Sequence, residues 1–586
     1  MQAAVRRTAR RDCLRRCGLV LTVALSACRP VGHVASSTAP LAPPRSKGTV
    51  VVAIVVDQMA AWIADERWPL LPADGGFGRL LREGTYARDV RYAHAATDTA
   101  PGHASLFTGA IPRVSGVWAN DVFDVTTDAK VSIFRDATTT LVTAGKTSAV
   151  GASAQRLAID TVADRFRAAR PDAPTVALSL KDRAAICGGG RKPTASLWFD
   201  RALDRFVTSS AFARELPAWA VGLARPDAVR AEPWTLLDAA WVASHAATPD
   251  DQPGEGALEG MTITFPHDVA HAKEPASALR ASPFGDDALL ALAVAAIDAH
   301  RDADGPRFLA VSLSANDYVG HTYGPDSWEA WDELRRLDAS LARFFAALDT
   351  RFGPEGWSVI LAGDHGTTTM PEAAAIPAAR PWCNTPAPDR WERACGPVGR
   401  LMPDAIAREL RVAASRALGR SDLVEGLIDP YVYLSEAGRA LPPVERARLM
   451  LALTKVLLAH PEVDRVFETR AFPEECPAED DESVEALVCR AVVRDRSGEL
   501  YILPRRGSFF DADVVVGKGT SHGSPYLFDR SVPVVVRAPA RAAAGRVIDR
   551  ALSFRTFART LSTLLDVDPP DRVSARTTDL VRAEHE

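Results

Sequence analysis

Five short, mainly apolar runs recur at long intervals: Val50–Val56, 175–180, 308–313, 357–362 and 532–536. The first is an unbroken, largely β-branched run, the pattern of a strand buried on both faces of a parallel sheet, and the other four are similar. Between them, Trp331, Leu334, Leu337, Leu341, Phe344, Phe345 and Leu348 recur at spacings of three and four, which predicts an amphipathic helix over 328–350. A second helix, rich in Ala and Leu, is predicted over 286–300. This alternation of strand and helix argues for an α/β fold, a three-layer α/β/α sandwich around a mainly parallel sheet. The chain has no internal repeat. The Pro-rich, less periodic stretches near 184–280 and 366–505 read as insertions decorating one body over residues 49–568, with a tail at 569–586.

The amino terminus follows another pattern. Residues 1–16 carry six Arg, and residues 18–27 form an apolar run that is too short to span a bilayer but suits a secretory signal. The run ends in Leu25-Ser26-Ala27-Cys28, similar to a bacterial lipobox. Residues 1–27 are therefore expected to be a lipoprotein-type signal peptide, with Cys28 as the lipidated first residue of a periplasmic or cell-surface protein. Residues 28–48, rich in Pro, Ser and Ala, read as a flexible tether.

Composition is that of an ordinary globular protein, with 47% hydrophobic and 24% charged residues, which excludes a disordered or fibrous chain. The net charge of −5 becomes −10 once the Arg-rich leader is set aside. No nucleic-acid binding is expected of so acidic a body. Cys383 with Cys395 and Cys476 with Cys489 are local pairs 12 and 13 residues apart, suited to disulfides in an oxidising compartment, and Cys187 is left over.

Ligands of parallel α/β sheets bind beyond the carboxyl ends of the strands. Here those ends carry Asp57, then Lys181-Asp182-Arg183, then Asn316-Asp317 with His321, then Gly363-Asp364-His365. Asp317 and His321 stand one helical turn apart, able to grip one ion. Asp364 and His365 share a Gly-flanked turn, and the loop Gly519-Thr520-Ser521-His522-Gly523 adds a third imidazole. Three carboxylates and three imidazoles without a thiolate favour zinc among the common catalytic metals. Thr97-Asp98-Thr99-Ala100-Pro101-Gly102-His103 places a hydroxyl at a predicted helix start, where free N–H groups favour a phosphate.

In this order the set resembles the alkaline phosphatase superfamily, specifically its type I phosphodiesterase/nucleotide pyrophosphatase branch, over nearly all of residues 50–568. The resemblance implies a catalytic domain with two zinc ions about 4 Å apart. It assigns Asp317, His321 and His522 to one ion, and Asp57, Asp364, His365 and Thr99 to the other. It also makes Thr99 the nucleophile, and His103 and Asp98 beside it read as structural supports. Lys181, Arg183 and Asn120, in Trp118-Ala119-Asn120-Asp121, resemble the phosphate-binding trio of threonine-nucleophile, phosphate-irrepressible alkaline phosphatases. That implies a zinc-dependent phosphate monoester hydrolase working through a phosphothreonine. The alternative is a phosphodiesterase or nucleotide pyrophosphatase on the same two-zinc site. No Cys-x-Pro-x-Arg or Ser-x-Pro-x-Arg sulfatase signal is present.

Overall fold

The computed structural model describes residues 48–582 apart from 125–128, 146, 228–231, 259 and 512–513. The expected signal peptide, Cys28, the tether up to residue 47 and the last four residues of the tail lie outside the described residues.

Five parallel strands form the centre of a twelve-stranded sheet, in the order Trp357–Gly363, Val50–Val56, Arg307–Leu313, Thr175–Ser179 and Ala195–Asp200. Alternate residues of the Val50–Val56 strand enter two different cores. Val50, Val52, Ile54 and Val56 pack into one, and Val51, Ala53 and Val55 into the other. This is the three-layer sandwich that the unbroken apolar runs require, because both faces of the strand lose water. Each Val or Ile so buried contributes about 1.5–3 kcal/mol of transfer free energy. Helices Phe284–Ala299 and Trp328–Phe352 pack into the first core and Thr99–Thr108 into the second.

Register places the site. Val56 pairs with both Leu313 and Gly363, so the three strands end level, and Asp57 and Asp364 emerge side by side. Ser179 pairs with Ser312, which brings Lys181 to the same edge. Backbone contact is close there: a Cβ on Gly102 would collide with the Asp364 carbonyl, so glycine lets the Thr99–Thr108 helix approach the end of the Trp357–Gly363 strand.

Three features differ from the sequence expectation. The Ser531–Arg537 strand is buried on both faces as expected but runs antiparallel to its neighbours. An apolar run reports two-sided burial and not direction. Within 184–280, the strands Ala195–Asp200 and Arg205–Ser209 extend the main sheet instead of decorating it. Residues 400–510 hold a four-stranded antiparallel sheet and helices Pro403–Leu418 and Pro443–Leu457 around their own core, which includes Leu410, Leu434, Leu453 and Leu500. Disulfides join Cys383 to Cys395 and Cys476 to Cys489, while Cys187 is buried and free. No helix among the described residues is long and apolar enough to cross a membrane.

Candidate active site

Thr99 is the first residue of the Thr99–Thr108 helix, with Asp98 at its N-cap. Its side chain is buried, and Lys181 Nζ donates to Thr99 Oγ1 at 3.1 Å. The free helix N–H groups expected to face a phosphate are not all available. Asn120 Oδ1 accepts from Ala100 N at 2.8 Å, which leaves the Asn120 Nδ2 amide as its donor.

Asp317 and His321 lie one turn apart on the helix Ala315–Tyr323, with His321 Nε2 3.2 Å from Asp317 Oδ1. Asp286 Oδ1 accepts from the N–H groups of Ser314 and Ala315 at 3.0 and 3.2 Å, which anchors the start of that helix. Asp57, Asp364 and His365 bring ligand atoms within 4.8 Å of one another, and so do Asp317, His365 and His522. His365 thus belongs to both groups, and its ring stacks on His522 at 3.7 Å. His321 adjoins the second group through Asp317, its ring 5.1 Å from that of His522. The structure therefore brings all six sequence-derived carboxylates and imidazoles together.

Each of the three imidazoles is oriented by a backbone carbonyl. Nδ1 lies 2.9 Å from Thr520 O in His321, 3.0 Å from Gly366 O in His365 and 2.9 Å from Thr97 O in His522. A carbonyl can only accept, so the proton sits on Nδ1, and in the neutral ring the Nε2 lone pair is left for an ion. Asp364 Oδ2 and His365 Nε2 are buried without a hydrogen bond. Burial and the neighbouring Asp317 both push the Asp57 carboxyl up, yet Lys181 and His365 hold it below the usual carboxylate range. Burial would lower His365, but Asp364 and Asp57 push it up to about 10. Converging carboxylates, oriented imidazoles and a field that favours positive charge fit a site for metal cations.

Lys181 is the charged side chain at the centre. It is 3% exposed, and Nζ lies 2.7 Å from Asp57 Oδ2 and 2.5 Å from Asp317 Oδ2. Burial works against its charge, but Asp317 and Asp57 outweigh it and raise its pKa, so it stays an ammonium. Arg183 lines a cavity of about 340 Å³ together with Lys181, Tyr318 and Arg280.

Sequence reasoning missed two groups here. Gln58, at φ 62°, donates from its backbone N to Asp364 Oδ1 and from Nε2 to Asp317 Oδ1, both at 3.0 Å, and so ties the two halves of the site together. The Tyr318 ring lies 4.8 Å from Lys181 Nζ and 4.5 Å from the Arg280 guanidinium. Two cations over one aromatic ring leave no mark in sequence spacing. His103 lies 3.1 Å from Asp364 Oδ2 and 2.9 Å from Ser312 Oγ. Asp98 lies 3.2 Å from His522 Nδ1.

Residues 51–524 match the type I phosphodiesterase / nucleotide pyrophosphatase family. The chain belongs to that family. Among curated relatives, alkaline phosphatase PafA of Elizabethkingia meningoseptica is 30% identical over 84% of this chain and 87% of its own. Alkaline phosphatase PhoK of Sphingomonas sp is 30% identical over 83% of each. Alkaline phosphatase PhoV of Synechococcus elongatus is 34% identical over 55% of this chain and 60% of its own. The crystal structure of wild-type PafA superposes with a TM-score of 0.78 at 28% identity, covering 92% of this chain and all of that one. The mixed α/β architecture and its large central sheet are shared with that structure.

Proposed function

We propose that the protein is a metal-dependent phosphate monoester hydrolase of the alkaline phosphatase type, acting through a phosphothreonine at Thr99. The observation that carries this reading is the contact of the Lys181 ammonium with Thr99 Oγ1 beside the buried carboxylate and imidazole groups. The alkaline phosphatase names of relatives that align over most of the chain support it.

Asp317, His321 and His522 would hold one zinc ion, and Asp57, Asp364, His365 and Thr99 Oγ1 the other. Bound there, the ions would supply Lewis acidity that lowers the hydroxyl pKa of Thr99 and offsets phosphoryl charge. The chain's own residues do the rest. Thr99 Oγ1 forms a bond to phosphorus as the bond to the ester oxygen breaks and the alcohol departs, and water then hydrolyses the phosphothreonine to inorganic phosphate. Lys181 is held charged, so it acts as a donor to the Thr99 oxygen and to the phosphoryl group and not as a base. Arg183 and the Asn120 amide add donors to the phosphoryl oxygens. A monoester has three non-bridging oxygens and two charges, so a site with two cationic side chains beyond the metals favours it over a diester.

The Arg-rich, apolar, Leu-Ser-Ala-Cys succession supports export with a lipid anchor at Cys28, and the two disulfides fit an oxidising compartment. Acid quenching during turnover of a labelled phosphate ester tests the covalent step. Label recovered on Thr99 is expected, and label on another residue overturns the assignment.

A further inference from the structure

Two pairs of neighbouring residues grip one another across the middle of the site. Asp57-Gln58 follows the Val50–Val56 strand, and Asn316-Asp317 lies in the first turn of the helix Ala315–Tyr323. Each pair has one carboxylate of the ion-binding set and one amide. The Gln58 amide Nε2 donates to Asp317 Oδ1 at 3.0 Å, and the Asn316 amide Nδ2 donates to the Asp57 carbonyl at 2.8 Å. Asp57 N adds a bond to Leu313 O at 2.9 Å. Gln58 N donates to Asp364 Oδ1 at 3.0 Å, so Gln58 contacts one carboxylate from each ion-binding cluster.

The local structure is built around this amide. Gln58 is buried, and the oxygen it holds is the one among the imidazoles: Asp317 Oδ1 lies 3.2 Å from His321 Nε2 and 3.6 Å from His522 Nε2. An ionised carboxylate only accepts, so Gln58 presents its NH2 there. A Cβ on Gly320 would sit 2.0 Å from Gln58 Oε1, and the three atoms nearest to it all belong to Gln58. Alanine is the better helix former, so the glycine in this helix makes room for the amide. The backbone is equally particular. Gln58 has φ 62°, a left-handed conformation that is uncommon for a residue with a side chain and persists only where its surroundings hold it.

Resting on the metal-dependent reading of the site, we propose that Gln58 is a positioning residue for Asp317, clasped in turn by Asn316 and admitted by Gly320. The clasp sets the affinity for the ion held by Asp317, His321 and His522. A group that hydrogen-bonds a metal ligand orients it before the ion arrives, and losing one costs about 10- to 100-fold in metal affinity. Gln58 touches Asp364 through its backbone N–H, which any residue but proline supplies. Removing its side chain therefore releases Asp317 and leaves Asp364 held.

The test is zinc affinity, measured on the full chain by competition with a chromogenic chelator. Wild type, Gln58→Gly, Gly320→Ala and the double variant are compared, with near-UV circular dichroism to verify the fold. The wild type should show two binding steps, and Asp317→Asn marks the step that belongs to Asp317. Gln58→Gly relieves the left-handed backbone, so it should stay folded, weaken the marked step about 10- to 100-fold and change the other much less. Gly320→Ala should weaken the same step despite its better helix propensity. In the Gln58→Gly background it should add little, because the atom it collides with is gone. Unchanged affinities in Gln58→Gly, equal losses at both steps, or full additivity in the double variant would overturn the clasp. Gly320→Ala leaves Gln58 in place, and an unweakened marked step in that variant overturns the clasp even if Gln58→Gly does not fold. A wild type that binds no zinc sinks the metal reading and the clasp together. Two zinc steps that are the same in wild type and Gln58→Gly sink the clasp alone.

Discussion

Lys181→Met probes the most connected atom of the site. Methionine keeps the apolar stem as far as Cε and removes the charged Nζ, and with it the cation over the Tyr318 ring. Two losses are expected. The first is catalytic. Nζ is 3.1 Å from Thr99 Oγ1 in a buried setting, and losing a charged donor in a water-excluded site costs about 2–4 kcal/mol, or about 30- to 1000-fold in kcat/KM. A diester presents one charge fewer, so diesterase activity should fall much less. The second loss is in stability. Asp57 and Asp317 share this ammonium at 2.7 and 2.5 Å, and breaking a buried ion pair from one side costs about 3–5 kcal/mol. Bound metal ions would neutralise the same carboxylates. The drop in Tm caused by Lys181→Met should therefore be larger in chelator-stripped protein than in metal-loaded protein. The assay is kcat/KM for p-nitrophenyl phosphate and its bis-ester, with melting curves in both metal states. Equal losses on the two esters would refute the role in substrate choice. An equal Tm drop with and without metal would refute the idea that Lys181 and the ions share the carboxylates.

Other outcomes follow from the same geometry. Thr99→Ala should lose several orders of magnitude in kcat/KM while Thr99→Ser, which keeps a hydroxyl, retains more; steady-state kinetics on the two variants checks this. Elemental analysis should find two zinc ions per chain, and chelation should abolish an activity that zinc restores; zinc-free protein with chelator-resistant activity would refute the metal assignment. Wild-type protein expressed in a bacterial host should partition into detergent and Cys28→Ser should not; a wild type recovered in the aqueous phase with an unmodified amino terminus would refute the lipid anchor.

The strands that carry the site were legible because a parallel strand buried on both faces must be an unbroken apolar run, and Asp57, Asp364 and Lys181 follow such runs directly. The Asp317 and His321 pair was legible because helical periodicity alone aligns them. The two disulfides were legible from short, local spacing. Contacts set by tertiary geometry were not. The bridging role of Gln58 depends on a left-handed backbone that a glutamine does not advertise. The use of the Ala100 N–H by Asn120 joins residues that only the folded turn brings together. The separate core around Leu410, Leu453 and Leu500 was hidden because its helices lie among Pro-rich loops, which dilute the periodic signal.

The measurement that bears most directly on the function is the ratio of kcat/KM for p-nitrophenyl phosphate to that for bis-p-nitrophenyl phosphate on the purified, zinc-loaded wild type. The donor roles proposed for Lys181, Arg183 and Asn120 on a dianionic ester predict a ratio well above one. A ratio below one would make the enzyme a phosphodiesterase on the same residues and would contradict the roles given to Lys181, Arg183 and Asn120.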